Sequence, residues 1–537
     1  MNAVTEIMGE IADLEFFAPA STDLVDGLVG QYRQARARIE SLANVMAGEL
    51  SGALHYFIQG NLKDERHGIP TRIDRLMQAP GAIAALNADY WQRALGLTDV
   101  LDCMPQKRRD EWFEQIREQT TPDFEEETVR DTIGALLAAR SRFFAERVDG
   151  IFRALSGAHV TNRPEGFGKR MIMGRVLCEY GTVNHSQAGT INDLRCVVAK
   201  FMGRDEPRWD ATAALIKAAK RNPGEWMEVD GGSIRLRVYA GVGTAHLEVH
   251  PDMAWRLNAV LASIYPLAIP PKFRQRPARK AKEHALMQRP LPFEVVEILA
   301  GLAEARELVD SLRNRWNSLP RTRALGYGYR DNKVAVAEAA RVLEAIGGVR
   351  VAAGHFQFDY EPQAVLDLIV CSGCIPDDKT HQFYPTPESL AARAVELAGI
   401  EDGHRCLEPS AGTGSLADLM PKDTHCVEVS AMRAGVLEAK GYAVTRADFL
   451  ELVPMLKPRF DRVVMNPPFS GGRWRAHLEA AAALLAPGGR LVAILPASAR
   501  GADLLHGLAL HWHGPYENEF AGTSVSVVIL VAERGAA

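Results

Sequence analysis

Apolar positions change their period along this chain, and the change divides it. Leu24 to Leu50 mixes polar and apolar residues at helical intervals. Ile133, Leu136, Leu137, Phe144, Val148, Ile151, Phe152 and Leu155 fall on one helical face, and Gly157 follows as a stop. Such a stripe packs into a helical core. Residues 186–220 return to helical spacing. Ile234–Tyr239 and Ala245–His250 alternate around Gly241-Val242-Gly243, which predicts a β-hairpin. Met253–Ile264 predicts a helix, and residues 293–347 a further helical stretch. From Gln382 onward short apolar runs alternate with helical segments, the signature of a mostly parallel sheet. The expected division is a mainly helical α+β region 1–265 with a hairpin, a basic connecting region 266–380, and an α/β Rossmann-like domain 381–537.

Four runs in the last region end in an acid or an amide. Cys406-Leu407 leads to Glu408, and Cys426-Val427 leads to Glu428. Val444 leads through Arg446-Ala447 to Asp448, and Val463-Val464-Met465 leads to Asn466. The interval of about 20 residues suits one βα unit per step. In open α/β sheets ligands bind beyond the carboxyl ends of the strands. The turn Pro409–Ser415 holds Gly412 and Gly414, which let a ligand come close to the backbone. Glu428 is placed to accept from the hydroxyls of a ribose, and Asp448 or the adjoining backbone to meet an adenine edge. The ligand so described is a nucleoside.

Asn466-Pro467-Pro468-Phe469 stops the fourth run. Two prolines cannot continue a central strand, because they lack the N–H and fix φ. The Asn466 oxygen and the Pro467 carbonyl can both accept from one amino group. Phe469 offers a flat face to a ring. The site suits a planar, amino-bearing heterocycle, and a hydride-transfer enzyme has no use for such acceptors.

The 537 residues carry a formal charge of −5, so any nucleic-acid surface must come from local clusters. One cluster is the glycine-rich stretch 157–175, with Arg163, Lys169, Arg170 and Arg175. The other is Lys272, Arg274, Arg276, Arg279, Lys280 and Lys282 among prolines. Each is a candidate grip on DNA phosphates or a solvated loop. Leu325–Arg330 places two tyrosines beside an arginine, for base stacking or a tight turn. The seven cysteines are scattered and odd in number, which suits a reducing compartment. Cys371-Ser-Gly-Cys374 has no second pair at zinc spacing, and no metal is expected. No apolar run reaches the roughly 18 residues of a membrane span, and the N-terminus has no signal pattern. A cytoplasmic location and no membrane partner are expected.

The last region resembles the class I S-adenosylmethionine-dependent methyltransferases, specifically the N6-adenine DNA methyltransferases. Phe383-Tyr-Pro-Thr-Pro387 resembles their motif that closes over the methionine end of the cofactor, Leu407–Gly414 their glycine-rich motif, and Asn466–Phe469 their catalytic motif. The order resembles the gamma type. Pro487–Pro496 resembles the usual turn and fifth strand, and Ala521–Val531 the terminal hairpin strand. The resemblance implies S-adenosylmethionine as cofactor and double-stranded DNA as partner. It implies cofactor contacts at Phe383, Tyr384, Thr386, Glu408, Ser410, Gly412, Gly414, Glu428, Asp448 and Phe449, and catalysis at Asn466, Pro467, Pro468 and Phe469. The target base would leave the helix, at about a few kcal/mol, and stack on Phe469. Methyl transfer would be direct, with no cysteine nucleophile. Gamma-type enzymes usually carry a recognition domain after the catalytic one. Here recognition is expected upstream or from a partner. Phe143–Met171 resembles an uncharacterised domain found before adenine methyltransferases of phages and plasmids. The alternatives are N4-cytosine methylation, and methylation of an RNA guanine or a protein glutamine with the N-terminal region as a partner-binding module. The fragment Thr380–Ala537 is expected to bind the cofactor weakly and to methylate DNA poorly.

Overall fold

The computed structural model describes residues 23–47, 56, 78–155, 157, 161–162, 165–168, 170–277, 286–287, 290–310, 315–326, 332–375, 384–456, 460–517, 519–520 and 525–535. The chain forms two compact units, residues 1–212 with 233–285, and residues 213–232 with 286–537. The expected boundaries after 265 and 380 each fall inside a unit.

In the first unit, helices Asp23–Ala47, Ala79–Gly96 and Glu126–Ala138 share a core of Tyr32, Trp91, Phe124, Val129 and Ile133. The apolar stripe from Ile133 to Leu155 is two helices, not one. It breaks at Ala139, and Arg140–Ala154 buries Phe144, Val148 and Ile151. Arg147 lies on that second helix fully buried, bonded to Asp193 at 2.8 Å and to Glu206 at 3.2 Å. A buried guanidinium is tolerated only with such partners. The stretch 186–220 is likewise two helices, His185–Phe201 and Trp209–Arg221, separated by Gly203 at φ +67° and by Pro207. Strand β1 is Arg170–Met173, and β2, Met227–Val229, belongs to the second unit. The expected hairpin is present as β3, Ile234–Tyr239, and β4, Thr244–Val249, with β1 antiparallel to β4. Helix Pro251–Ile264 follows.

The second unit overturns one expectation. Residues 293–347 are not helical throughout. Helix Phe293–Ala300 is followed by a hairpin of β5, Ala303–Asp310, and β6, Arg315–Ala324, before helix Lys333–Ala345. Ala, Glu, Leu and Arg in this stretch favour helix, but propensity yields to pairing when a sheet takes up the backbone. Here β6 also pairs with β8, His355–Gln357, which pairs with β7, Val349–Ala352.

Seven strands make the main sheet. They are β9 (Cys406–Glu408), β10 (His425–Glu428), β11 (Ala443–Arg446), β12 (Phe460–Met465), β13 (Leu485–Pro496), β14 (Ala509–Tyr516) and β15 (Val527–Glu533). Their order is β11-β10-β9-β12-β13-β15-β14, and β15 alone runs against the rest. Both faces are covered, so successive residues of β12 enter different cores. Val463 and Met465 pack with Leu478 and Leu491, while Val464 packs with Leu390, Ala391 and Ala394 of helix Glu388–Ala398. The chain winds outward from β9 through β10 to β11, then returns to β12 on the other side of β9. A crevice opens at such a reversal, beyond the carboxyl ends of the two central strands. Glu408 and Asn466 stand at those ends.

The segment before the sheet is fastened to it. Met432 and Val436 of helix Ala431–Ala439 share a core with Leu343, Val365, Leu366 and Ile369. Gly435 sits so close to this packing that a Cβ would come within 3.0 Å of Leu368. Among the described residues no helix is long and apolar enough to cross a membrane.

Candidate active site

The crevice is a cleft of about 530 Å³. It gathers Tyr384, Thr386, Glu408, Ser410, Gly412, Glu428, Asp448, Phe449 and all of Asn466–Phe469. Of the cofactor residues expected from the sequence, Phe383 lies outside the described residues. Gly414 does not line the cleft. Its φ is +97°, and a Cβ there would stand 3.1 Å from Leu437, so it serves the turn and its packing.

Asn466 follows the last residue of β12 and is half-buried. Its Nδ2 donates to the Thr386 hydroxyl at 3.0 Å. An amide has two donors on nitrogen and an acceptor on oxygen. With nitrogen committed to Thr386, the oxygen is the end left for the cleft. Pro467 and Pro468 end the strand, and Phe469 packs one side against Leu390 and its neighbours while lining the cleft.

Glu428 is more occupied than the sequence reading expects. Its Oε2 accepts from Gly412 N at 2.9 Å. Its Oε1 accepts from Ser430 N at 2.8 Å and from Arg433 Nε at 3.2 Å. A carboxylate has about four acceptor sites, so about one is left for a sugar hydroxyl. The acid shapes the glycine-rich turn as much as it faces a ligand. The turn can close because Gly412 adopts φ +58°.

Glu408 is the opposite case. It is buried, and its Oε2 has no hydrogen-bond partner among the described residues. Burial pushes its carboxyl well above the usual range. The Ala417 backbone N–H opposes this, and the nearby Asp418 and Glu428 charges reinforce it. A carboxyl so placed favours a donor, above all a cationic one.

Asp448 caps the short helix Phe449–Leu452 by accepting from Leu450 N at 3.0 Å, and it pairs with Arg473 at 2.7 Å. Burial would raise its carboxyl, but the Arg473 and Leu450 hydrogen bonds outweigh that and hold it below the usual range.

Sequence reasoning missed Arg433, Arg473 and His477, which also line the cleft. His477 is 4% exposed and lies 3.2 Å through Nδ1 from the Ser410 hydroxyl. Its ring is 5.6 Å from that of Phe449, and its Nε2 has no partner among the described residues. Burial, and then the Arg473 charge, push its pKa down to about 4, so the imidazole is neutral near pH 7. The available signal was the spacing of Arg473 and His477, one helical turn apart just after Phe469.

The candidate DNA-binding residues belong to the first unit, apart from this cleft. Arg163, Lys169, Arg279 and Lys280 lie outside the described residues. Arg170 is on β1 and makes two bonds to Glu248, the shorter 2.7 Å, so its charge is largely matched. Lys272 stands 5.1 Å over the Phe273 ring in a short 3-10 helix, and Lys272 and Arg276 are exposed with Arg274 half-buried beside them.

Comparison with known proteins divides along the same line. Residues 83–267 match the model of a domain of unknown function, DUF4942. None of the curated proteins matches the chain. Among solved structures, TrmN from Thermus thermophilus is similar over 27% of this chain and 48% of its own, at 27% identity and a TM-score of 0.24. The modification subunit of a proposed type I restriction enzyme from Vibrio vulnificus YJ016 is similar over 29% of this chain and 45% of its own, at 16% identity and a TM-score of 0.26. A rRNA methylase from Streptococcus thermophilus is similar over 28% of this chain and 96% of its own, at 12% identity and a TM-score of 0.22. The chain thus spans about half the length of the first two. These likenesses do not bear on what the cleft acts on.

Proposed function

We propose that the second unit is an S-adenosylmethionine-dependent methyltransferase, and that its substrate is the exocyclic N6 of adenine in DNA. The observation that carries this reading is the Asn466 amide. It stands at the end of a central strand with its nitrogen held by Thr386, which leaves its oxygen, followed by the Pro467 carbonyl, to face a substrate.

The residues present suit the cofactor. Glu408 Oε2 is a buried acceptor lacking a donor, fit for the amino group of a methionine. The Gly412 turn admits a ligand against the backbone, Glu428 keeps about one acceptor site for a sugar hydroxyl, and Asp448 with Phe449 lies where a purine would end. His477 adds a neutral polar edge. When bound, the cofactor would supply an electrophilic methyl group on a sulfonium.

The chain's own part is to prepare the nucleophile. Adenine N6 is weakly nucleophilic because its lone pair is delocalised into the ring. Two acceptors, Asn466 Oδ1 and the Pro467 carbonyl, would hold its two hydrogens and favour a more tetrahedral nitrogen. Phe469 would take the ring by stacking. Holding both reactants in one geometry is the main source of rate in such a site. No charged general base is needed beside N6, and His477 is too weakly basic to serve as one.

DNA would be gripped by the first unit. Lys272, Arg274 and Arg276 support this, being cationic, at least partly exposed, and without an ion pair among the described residues. Arg170 supports it less, since Glu248 holds it.

The test is transfer from labelled S-adenosylmethionine to separate pools of DNA, RNA and protein. Label in DNA as N6-methyladenine supports the reading. Label as N4-methylcytosine, in RNA, or on a protein glutamine replaces it with that substrate.

A further inference from the structure

The Thr386–Asn466 contact joins a residue expected to serve the cofactor to one expected to serve the substrate. Both ends are rigidly mounted. Thr386 is 9% exposed and directly precedes Pro387, the cap of helix Glu388–Ala398. That helix buries Leu390, Ala391 and Ala394 against Val464, on the strand that ends in Asn466. The same packed layer therefore sets the position of the hydroxyl and of the amide.

An asparagine side chain can present either end to a cleft by rotating about half a turn. The two ends have opposite hydrogen-bonding character. With oxygen inward it accepts from an amino group. With nitrogen inward it sets N–H against N–H and repels the same group. Among the described residues Asn466 has no other side-chain hydrogen bond to fix this choice. We propose that Thr386 is a positioning residue whose hydroxyl, by accepting from Asn466 Nδ2, keeps the Asn466 oxygen turned toward the substrate amino group. The inference rests on the proposed function and gives Thr386 a task separate from holding the cofactor. A positioning partner acts by locking the rotamer of the group that touches the substrate.

Valine replaces the threonine hydroxyl by a methyl of the same shape, so Thr386→Val removes the contact with little change in packing. Turnover of adenine methylation should fall about tenfold or more, the usual scale for one lost orienting hydrogen bond. The affinity for S-adenosylmethionine by calorimetry should stay within about twofold, since a transition-state contact is lost rather than a ground-state one. Thr386→Ser should restore turnover to within about threefold. In an Asn466→Ala background Thr386→Val should change the residual rate by less than about twofold, because the two act as one unit. A second readout needs no substrate. In protein labelled with ¹⁵N-asparagine, the Asn466 side-chain amide is identified by its absence in Asn466→Ala. Its hydrogen exchange should speed up in Thr386→Val and not in Thr386→Ser. Unchanged exchange in Thr386→Val, or a loss of cofactor affinity with turnover intact, overturns the proposal. Absence of DNA methylation by the wild type sinks the proposed function instead, and the exchange result still decides the positioning.

Discussion

Charge is handled differently in the two units, and the difference separates a built site from a surface. In the first unit the buried charges answer one another. Arg147 is met by Asp193 and Glu206, and Asp99 by Arg140 and Lys200. What is left over, at Lys272 and Arg276, faces water. In the cleft of the second unit, Glu408 and His477 are buried with a polar atom each that no described residue satisfies. An unmet polar atom inside a protein is expensive and is kept when something else meets it. Exposed charge carries no such implication. The cleft is therefore the stronger claim, and the predictions below try to break that ranking.

The largest effect should come from cutting the chain at the boundary expected from the sequence. A fragment beginning at residue 381 loses Leu343, Val365, Leu366 and Ile369, against which Met432 and Val436 are packed. It should give no cooperative thermal transition by circular dichroism and no S-adenosylmethionine binding, not the weak binding that the sequence suggests. A folded fragment with full cofactor affinity would show that residues 286–375 are dispensable to the cleft.

Next in size is Glu428→Ala. From sequence this residue was expected to be lost with the fold unchanged. Its carboxylate instead holds Gly412, Ser430 and the buried Arg433. Removing one partner of a buried ion pair costs about 3 kcal/mol or more. Urea unfolding should record that loss together with weaker cofactor binding. Weaker binding at unchanged stability would restore the simpler view.

That residue illustrates what was legible. The positions of Glu408, Glu428, Asp448 and Asn466 were readable because strand ends recur about once per βα unit, and the polypeptide has few ways to wind such units. Their partners were not readable. Whether a carboxylate is free, as at Glu408, or committed, as at Glu428, depends on which backbone N–H groups the turns aim at it. Thr386 and Asn466 are 80 residues apart, and only the packing of a helix on β12 joins them. The β5–β6 hairpin was missed for a related reason, since its residues favour helix locally and are held as strands by their neighbours. His477 was missed because a lone histidine on an apolar helix face is ordinarily part of a core.

A smaller effect concerns His477 and pH. Its folded pKa of about 4 lies below the ordinary 6.5, so the unfolded chain binds the extra proton first as pH falls. Stability from this group is complete above pH 6.5 and is lost between there and pH 4, by about 3 kcal/mol in all. His477→Asn should flatten that segment of the stability–pH curve for the ligand-free protein. A curve of the same shape in both proteins would mean that the imidazole is not buried neutral.

The smallest effect should come from the exposed basic residues. Replacing Lys272, Arg274 and Arg276 with glutamine should leave cofactor affinity alone. Each lost phosphate contact should reduce the slope of log DNA affinity against log salt by about 0.9, or about 2.7 for all three. An unchanged slope would make this segment a solvated surface and move the grip on DNA elsewhere.

The central claim is that Asn466 holds the amino group of adenine in DNA. The most direct measurement is nucleoside analysis of DNA from cells expressing the wild type or Asn466→Ala, with the cofactor affinity of both purified proteins measured alongside. The account predicts N6-methyladenine in the first DNA and at least about a hundredfold less in the second, at nearly equal cofactor affinity. Comparable N6-methyladenine from the two proteins would contradict it.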